Sequence, residues 1–546
     1  MNKKFVIGID YGTLSARAVL VDVLNGEEIV EHVEEYAHGV MDSALSSGKK
    51  LPKDYALQHP KDYLECLTKC IGKCIEKSAV STKQIVGLGI DFTACTVLPV
   101  DEKFMPLCFK KEYEDEPHAY VKLWKHHSAQ PYADEINALA NKKGESWIKR
   151  YGGKISCEWA FPKLLQLLRE APSVYSDTYR FIEAADWLSY ALTGVETHSA
   201  AFAGYKALWS EKEGYPTNEF WKALDKNLDG VIGTKISEKV YGMDKIAGFV
   251  SEDGAKLCGL EIGTPVSLPM IDAHSAMPAL NITKDGDLML IVGTSACHIL
   301  NSSQIKEVEG ICGYVYGGVI PGLYTYEAGQ AGVGDYFEWF IKNCLPEEYF
   351  KKAKEEGLNI HAYMRKLLSN HKVGESGLIA LDWWNGNRSI LVDSELSGMI
   401  VGMTLQTKPE DIYKAILESN AFGLKIIVEQ YQKSGIEIKT ICAAGGIASK
   451  DELLMQIYAD VLDKEIQIAG SNQAGALGSA IYASVASGVY SDVVQAAKQM
   501  SCKSKKVYKP IPENVKVYKE LFEEYVKLHD YFGKENPIMK KLKGYK

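Results

Sequence analysis

Apolar and polar positions divide the chain into recognisable elements from its first residues. Val6 to Val21, VIGIDYGTLSARAVLV, is an apolar run ending at Asp10, a Gly12-Thr13 corner with Ser15, and a returning apolar run from Ala16. That pattern predicts two strands joined by a tight turn. The next stretch, GEEIVEHVEEYAH, alternates enough to extend an antiparallel sheet. Pro60 to Lys77 places Tyr63, Leu67, Cys70, Ile71 and Cys74 at helical spacing and leads into a second buried strand region, Ile85 to Asp101. Strand, strand, helix, strand is an α/β layout with a mixed sheet.

From Tyr120 to Ala140 the pattern is helical, with Pro131 expected to break it and His126-His127 near its middle. Adjacent helical residues point about 100° apart, so the two rings are poorly placed to share an ion; substrate contact or packing fits better. Helices are predicted from Cys157 and from Glu183, the latter closed by Gly194. Lys206 stands alone among apolar residues, where a lysine either snorkels to the surface or points into a cleft as a ligand contact. A glycine- and charge-rich stretch places a domain boundary near Gly263-Thr264-Pro265, and an apolar run then ends at Asp272.

Asp287 to Leu300, DLMLIVGTSACHIL, repeats the opening pattern: strand, Gly293-Thr294-Ser295 turn, strand. One such hairpin is a common structural turn. Two copies predict two related domains, each offering a phosphate-binding turn to a shared cleft. In the first copy Asp10 is suited to face a divalent cation while the turn's amides and hydroxyls donate to phosphate oxygens. Downstream, Glu327 precedes a glycine-rich turn whose G-x-x-G-x-G spacing is not that of a dinucleotide fingerprint. A long amphipathic helix is expected to start with Thr407 as cap, Pro409 in the first turn and Glu410 completing a capping box. A Gly445-Gly446 turn then leads to a helix from about Lys450, and glycines at helix starts allow a ring or phosphate to approach the backbone.

At 546 residues the chain exceeds one core, and its 46% apolar and 24% charged residues are those of an ordinary globular protein. A net charge of -9 argues against a nucleic-acid binder. The basic stretches from Lys498 and at the C-terminus read as solvated faces. No apolar segment is long enough to span a membrane, and the N-terminus enters a strand at once, with no room for a signal peptide; a cytoplasmic location is expected. The 12 cysteines form no CxxC pair, and Cys66, Cys70 and Cys74, stacked on one helix face, read as core residues in a reducing compartment.

The segment from Gly398 through Ile400, Gly402 and Met403 to Asp411, Ile412, Ala415, Ile416, Leu417 and Glu418 matches the C-terminal signature of the FGGY family of carbohydrate kinases. With GIDYGT, MIDAHSA, GTSACH and AAGGIAS in family order, the chain resembles that family over roughly residues 4 to 490. GIDFTACTVLPVD, LWKHHSAQPYADEIN and EAGQAGVGDYFEWF are similar to the branch acting on five-carbon ketoses. The resemblance implies an α/β fold of two ribonuclease H-like, actin/hexokinase-type domains with a central cleft. Their expected bounds are 1–265 for sugar binding, 266–500 for nucleotide binding and 501–546 for a C-terminal helix and tail.

It also implies roles. Asp272 resembles the general base, and Ala94, Trp124, Lys206, Asp272 and Glu327 match substrate-contact positions. Gly12, Thr13, Ser15 and Arg17 lie in the first phosphate motif and Gly293 and Thr294 in the second. Gly334, Gly445, Gly446 and Lys450 fall in the adenine–ribose region, and Asp10 resembles the Mg2+ residue, acting through water. The implied ligands are ATP, Mg2+ and a small sugar, with no nucleic acid or membrane partner; a homodimer is compatible. Alternatives are another sugar or polyol kinase of the family, a nucleotide-gated switch of the wider superfamily, and a non-catalytic sugar sensor.

Overall fold

The structure, a computed structural model, describes residues 3–545. Met1, Asn2 and Lys546, at the extreme ends of the expected domains, lie outside the described residues. The chain divides into two compact units built from separated stretches. The first holds the chain up to Thr283 with Tyr314–Thr325 and Gln473–Cys502; the second holds Lys284–Gly313, Tyr326–Asn472 and the chain from Lys503 onward.

The first unit is organised on a sheet ordered Ile246–Phe249, Pro265–Ser267, Ile85–Phe92, Phe5–Tyr11, Ser15–Asp22, Glu28–Glu35, with Met270–Ile271 also pairing to Ile85–Phe92. Phe5–Tyr11 is antiparallel to Ser15–Asp22 and parallel to Ile85–Phe92. Its residues are buried except Asp10, the one position where the strand offers a polar group to its surroundings. The helix Pro60–Ser78 lays Cys66, Cys70 and Cys74 against the hairpin, and the Cys70 and Cys74 thiols donate to the carbonyls of Ala16 and Ala18 at 3.6 and 3.7 Å. Burial pushes these two thiols up to about 12 and about 11, so they are inert core groups, as their spacing implies.

A second helix, Ala474–Ala486, lies directly on the strands. A Cβ on Gly8 would come within 1.8 Å of Ala476 O, and one on Gly89 within 2.0 Å of Ser479 O. Such backbone-to-backbone packing needs glycine on the strand and small residues on the helix, which is what GALGSAIYAS supplies. A smaller sheet, ordered Leu57–Gln58, Val121–Lys122, Val97–Val100, Arg180–Glu183, packs with helices around an aromatic core in which Phe161 and Trp221 stack at 4.0 Å.

In the second unit Asp287–Val292 is antiparallel to Ala296–Ser302 and parallel to Thr440–Ala444, which is parallel in turn to Ile466–Ile468. This is the pairing of Phe5–Tyr11 repeated, so the duplicated hairpin marks a duplicated fold. The two turns are not identical. Tyr11 pairs with Ala16 around four residues, whereas Val292 pairs with Ala296 around three. The helix Pro512–Asp530 is docked in this unit: Tyr518 donates to Glu418 at 2.9 Å and Tyr525 to Asp382 at 2.7 Å. No helix among the described residues is long and apolar enough to cross a membrane.

Two local expectations are corrected. Residues 120–129 are not helical; Val121–Lys122 is a strand, and the helix runs Gln130–Lys143 with Pro131 in its first turn. Proline lacks only an N–H that the first turn leaves unpaired, so Pro131 starts the helix instead of breaking it. The signature helix runs Pro409–Lys433 with Lys408 as its cap residue, and Lys408 N donates to Asp411 Oδ2 at 2.9 Å. The Thr407 hydroxyl instead accepts from Thr404 N at 2.9 Å, and Glu410 accepts from Tyr349. With Pro409 at the first helical position the reciprocal acid falls at Asp411, one residue beyond the expected one.

Candidate active site

Three carboxylates leave the first unit's sheet at the same end. Asp10 and Asp91 face each other in parallel register, and Met270 and Ile271, just before Asp272, pair with Asp91 and Phe92. Carboxyl ends of adjacent parallel strands are where open α/β sheets place their ligands. Asp91 is not among the candidates named from the sequence, although its signal is present there: GIDF at 89–92 repeats GIDY at 8–11, and the two pair residue for residue.

Asp91 is fully buried and accepts from the Ser479 hydroxyl at 2.6 Å. Burial, then the neighbouring Asp10 charge, push its carboxyl well above the usual range. Burial raises Asp10 too, opposed by Arg17, whose Nε lies 3.5 Å from Asp10 Oδ2, and by the hydrogen bond from Asp91. Both carboxyls are thus raised, Asp91 by burial and its neighbour's charge with only Ser479 opposing, and Asp10 is the partly exposed member of the pair. Beside it Gly475 keeps space clear, since a Cβ there would stand 3.0 Å from Asp10 Oδ2.

Asp272 is the first residue of the helix Asp272–Ala279, and its Oδ1 accepts from the next amide, Ala273 N, at 2.7 Å. It is a first-turn residue following the cap position Ile271, and it is partly exposed. Its helix is seated on Ala474–Ala486 through the Ser275 hydroxyl, which donates to Gly475 O at 2.9 Å.

Two of the expected sugar contacts of this unit, Trp124 and Ala94, lie beside the same hairpin. Trp124 Nε1 donates to Thr13 Oγ1 at 3.2 Å, and Gln58 Nε2 donates to Thr13 O at 2.7 Å, fixing the Gly12-to-Ser15 turn from outside. Ala94 sits in the turn that follows Ile85–Phe92, where Thr93 N donates to Tyr11 O at 3.1 Å. Lys206 ends the helix Ala200–Lys206 and is only 9% exposed, its Nζ 5.7 Å from the Trp159 ring. That burial excludes a snorkelling surface lysine. The helix is capped by Ser199, whose amide donates to Asp186 at 3.1 Å. Burial disfavours a charged His198 beside it, but bonds to Asp186 and Glu196 outweigh this and push the imidazole up to about 9.

His126 and His127 part ways. His126 is buried, with Nε2 against Gln166 and Ser128 at 3.0 and 2.8 Å, a packing role; His127 pairs with Glu158 at 3.1 Å.

The second unit gathers the other candidates. Val333 N donates to Thr294 O at 2.8 Å and Gly334 N to Gly293 O at 3.1 Å, so the helix Gly334–Cys344 begins against the Gly293-Thr294 turn. Gly445 adopts φ +101°, and a Cβ there would lie 2.5 Å from Val292 O; one on Gly334 would lie 2.9 Å from Ile447 Cδ1. Three glycine-bearing segments thus converge, with Thr294, Gly446 and Lys450 exposed beside them. The helix that follows runs Glu452–Leu462, capped by Asp451. Glu327, the remaining expected sugar contact, lies in this unit on Tyr324–Gln330, buried, its carbonyl accepting from Cys312 N at 2.8 Å.

Residues 5–278 match the N-terminal domain, and residues 288–487 the C-terminal domain, of the FGGY family of carbohydrate kinases. The chain belongs to that family. It is an ATP-using sugar phosphotransferase. The FGGY kinase is 49% identical to the ribulokinase of Halalkalibacterium halodurans over 100% of its own length and 98% of the relative's. It is 48% identical to the ribulokinase of Bacillus licheniformis over 98% of both chains. Among solved structures, xylulose kinase from Rhodospirillum rubrum superposes with TM-score 0.80 at 20% identity, covering 98% of this chain and 100% of that one. This likeness supports the two-domain actin/hexokinase-type fold.

Proposed function

We propose that this FGGY kinase transfers the γ-phosphoryl group of ATP to O5 of L-ribulose, giving ribulose 5-phosphate, as a cytoplasmic step of arabinose breakdown. The chemistry rests on the placement of Asp10, Asp91 and Asp272 at one end of three neighbouring parallel strands. The choice of sugar rests on full-length similarity to relatives named ribulokinase.

Phosphoryl transfer asks the protein mainly for positioning and charge stabilisation. Asp272 accepts the proton that leaves the sugar's terminal hydroxyl, with one carboxylate oxygen already oriented by Ala273 N. In the first unit Ala94, Trp124 and Lys206 are the residues for the ketose; a buried polar group such as Lys206 discriminates because a wrong sugar leaves it unpaired. The Gly12-to-Ser15 turn with Arg17, and the Gly293-Thr294 turn, hold phosphate oxygens, while Gly334, Gly445, Gly446 and Lys450 border the nucleoside.

Asp10 fits a magnesium ion. Its carboxyl is a partly exposed oxygen donor, and Gly475 brings no side chain against it, where a Cβ would stand 3.0 Å from Oδ2. Mg2+ is commonly held by one or two carboxylates, substrate phosphates and water. Bound there, the ion would offset charge on the phosphoryl oxygens.

A coupled ADP-release assay across L-ribulose, D-ribulose, D-xylulose and glycerol tests the substrate. Highest kcat/KM for L-ribulose is expected. Preference for xylulose or glycerol contradicts it, and ADP release independent of sugar would instead indicate a nucleotide-gated switch.

A further inference from the structure

The two loops that carry Ala94 and Trp124 are far apart in sequence, yet one buried side chain is bonded to both. Lys163, on the helix Ala160–Glu170, is 0% exposed. Its Nζ donates to Cys95 O at 2.6 Å and to Leu123 O at 2.8 Å. Each carbonyl belongs to the residue adjoining an expected sugar contact, Cys95 after Ala94 and Leu123 before Trp124.

We propose that Lys163 is a positioning residue that sets the spacing of the Ala94 and Trp124 loops and so the fit of the sugar. The proposal rests on the reading of those two residues as substrate contacts.

The turn it holds is one that needs holding. Cys95 adopts φ +59°, a left-handed conformation that costs a non-glycine residue free energy and persists only where its surroundings enforce it. The enforcement is visible on both sides: Lys163 takes the carbonyl of Cys95, Glu183 Oε2 accepts from Thr96 N at 3.0 Å, and Ala184 N donates to Thr96 O at 2.8 Å. On the other loop Leu123 N donates to Ala56 O at 3.0 Å, so Leu123 is fixed at both its amide and its carbonyl. A buried ammonium is a costly way to bond two carbonyls, since burial alone pulls Lys163 below its usual range. An apolar residue would fill the volume more cheaply, but it would leave Cys95 O and Leu123 O without this donor and the two loops unlinked.

Steady-state kinetics of Lys163→Met, Lys163→Gln and Trp124→Ala in the full-length enzyme test this. Methionine keeps the unbranched stem, one atom shorter, and removes the donors; glutamine keeps an amide that can donate. Lys163→Met is expected to raise the KM for sugar at least tenfold with the KM for ATP within twofold. Lys163→Gln is expected to recover part of the loss, a split and a rescue that general loosening of the fold would not give. A folded Lys163→Met with unchanged sugar KM, or with sugar and ATP KM rising together, overturns the clamp. Should Lys163→Met not fold, Lys163→Gln decides alone: a sugar-specific rise of about threefold or more supports the proposal, and no rise rejects it. Trp124→Ala separates the two levels. No change in sugar KM there removes the site assignment and the clamp with it, whereas a rise there with none in the Lys163 variants removes the clamp only.

Discussion

Asp272→Ala is expected to lower turnover by a factor of ~10² to 10⁴, the usual loss for a general base, with ATP binding retained. The base reading differs in its consequence from a purely structural one. Asp272 occupies the first position of its helix and bonds Ala273 N, so alanine removes both a proton acceptor and a local hydrogen bond. Asparagine removes only the first, because its carbonyl oxygen can still accept from that amide. Asp272→Asn is therefore expected to lose nearly as much kcat as the alanine variant while melting as the parent does. Rapid-quench or coupled assays with a parallel ATP titration read this; turnover within a few-fold of the parent in both variants would mean that the proton goes elsewhere.

The second large effect concerns the support beneath Asp272. Gly478 lies on the helix Ala474–Ala486 where that helix meets Asp272–Ala279, and a Cβ there would stand 1.7 Å from Ser275 O and 2.6 Å from Ser275 C. No rotamer relieves a clash with backbone, so Gly478→Ala must move one helix away from the other. Overpacking of this kind costs about 1–3 kcal/mol, and it displaces the element that aims Asp272. Lower stability in urea together with lower kcat is expected. Gly72→Ala is the contrast: on the helix Pro60–Ser78 nothing lies within 4 Å of its would-be Cβ. There alanine's better helix propensity should stabilise by up to about 1 kcal/mol. Equal effects at the two positions would contradict the packing account.

Much of the fold is legible in the amino-acid sequence. Apolar runs and turn chemistry locate both hairpins, because a strand bounded by Gly-Thr and followed by a second apolar run has few other readings. The cysteine face of Pro60–Ser78 is readable as core for the same reason of spacing. Pro131 is open to misreading because a proline marks a helix start and a helix break with the same letter, and only the neighbouring backbone decides; the start at Lys408 is open because Thr407, a good capping residue, stands next to it but its hydroxyl accepts from Thr404 N instead. Lys163 escapes a sequence reading for a different reason: it gains its meaning from Cys95 O and Leu123 O, distant in sequence, and backbone carbonyls leave no mark in an amino-acid pattern. Asp91 is signalled by GIDF repeating GIDY, but its bond from Ser479 is not. The chain's returns to the first unit at Tyr314–Thr325 and Gln473–Cys502 are equally invisible, since the unit a segment joins is set by contacts distant in sequence.

The most direct test of the central claim is the identity of the product. Incubation with L-ribulose and ATP, followed by phosphorus and carbon NMR of the isolated sugar phosphate, should show one phosphoryl group coupled to C5 and none elsewhere. A phosphate on any other carbon, or ADP formed with no sugar phosphate at all, would contradict the account.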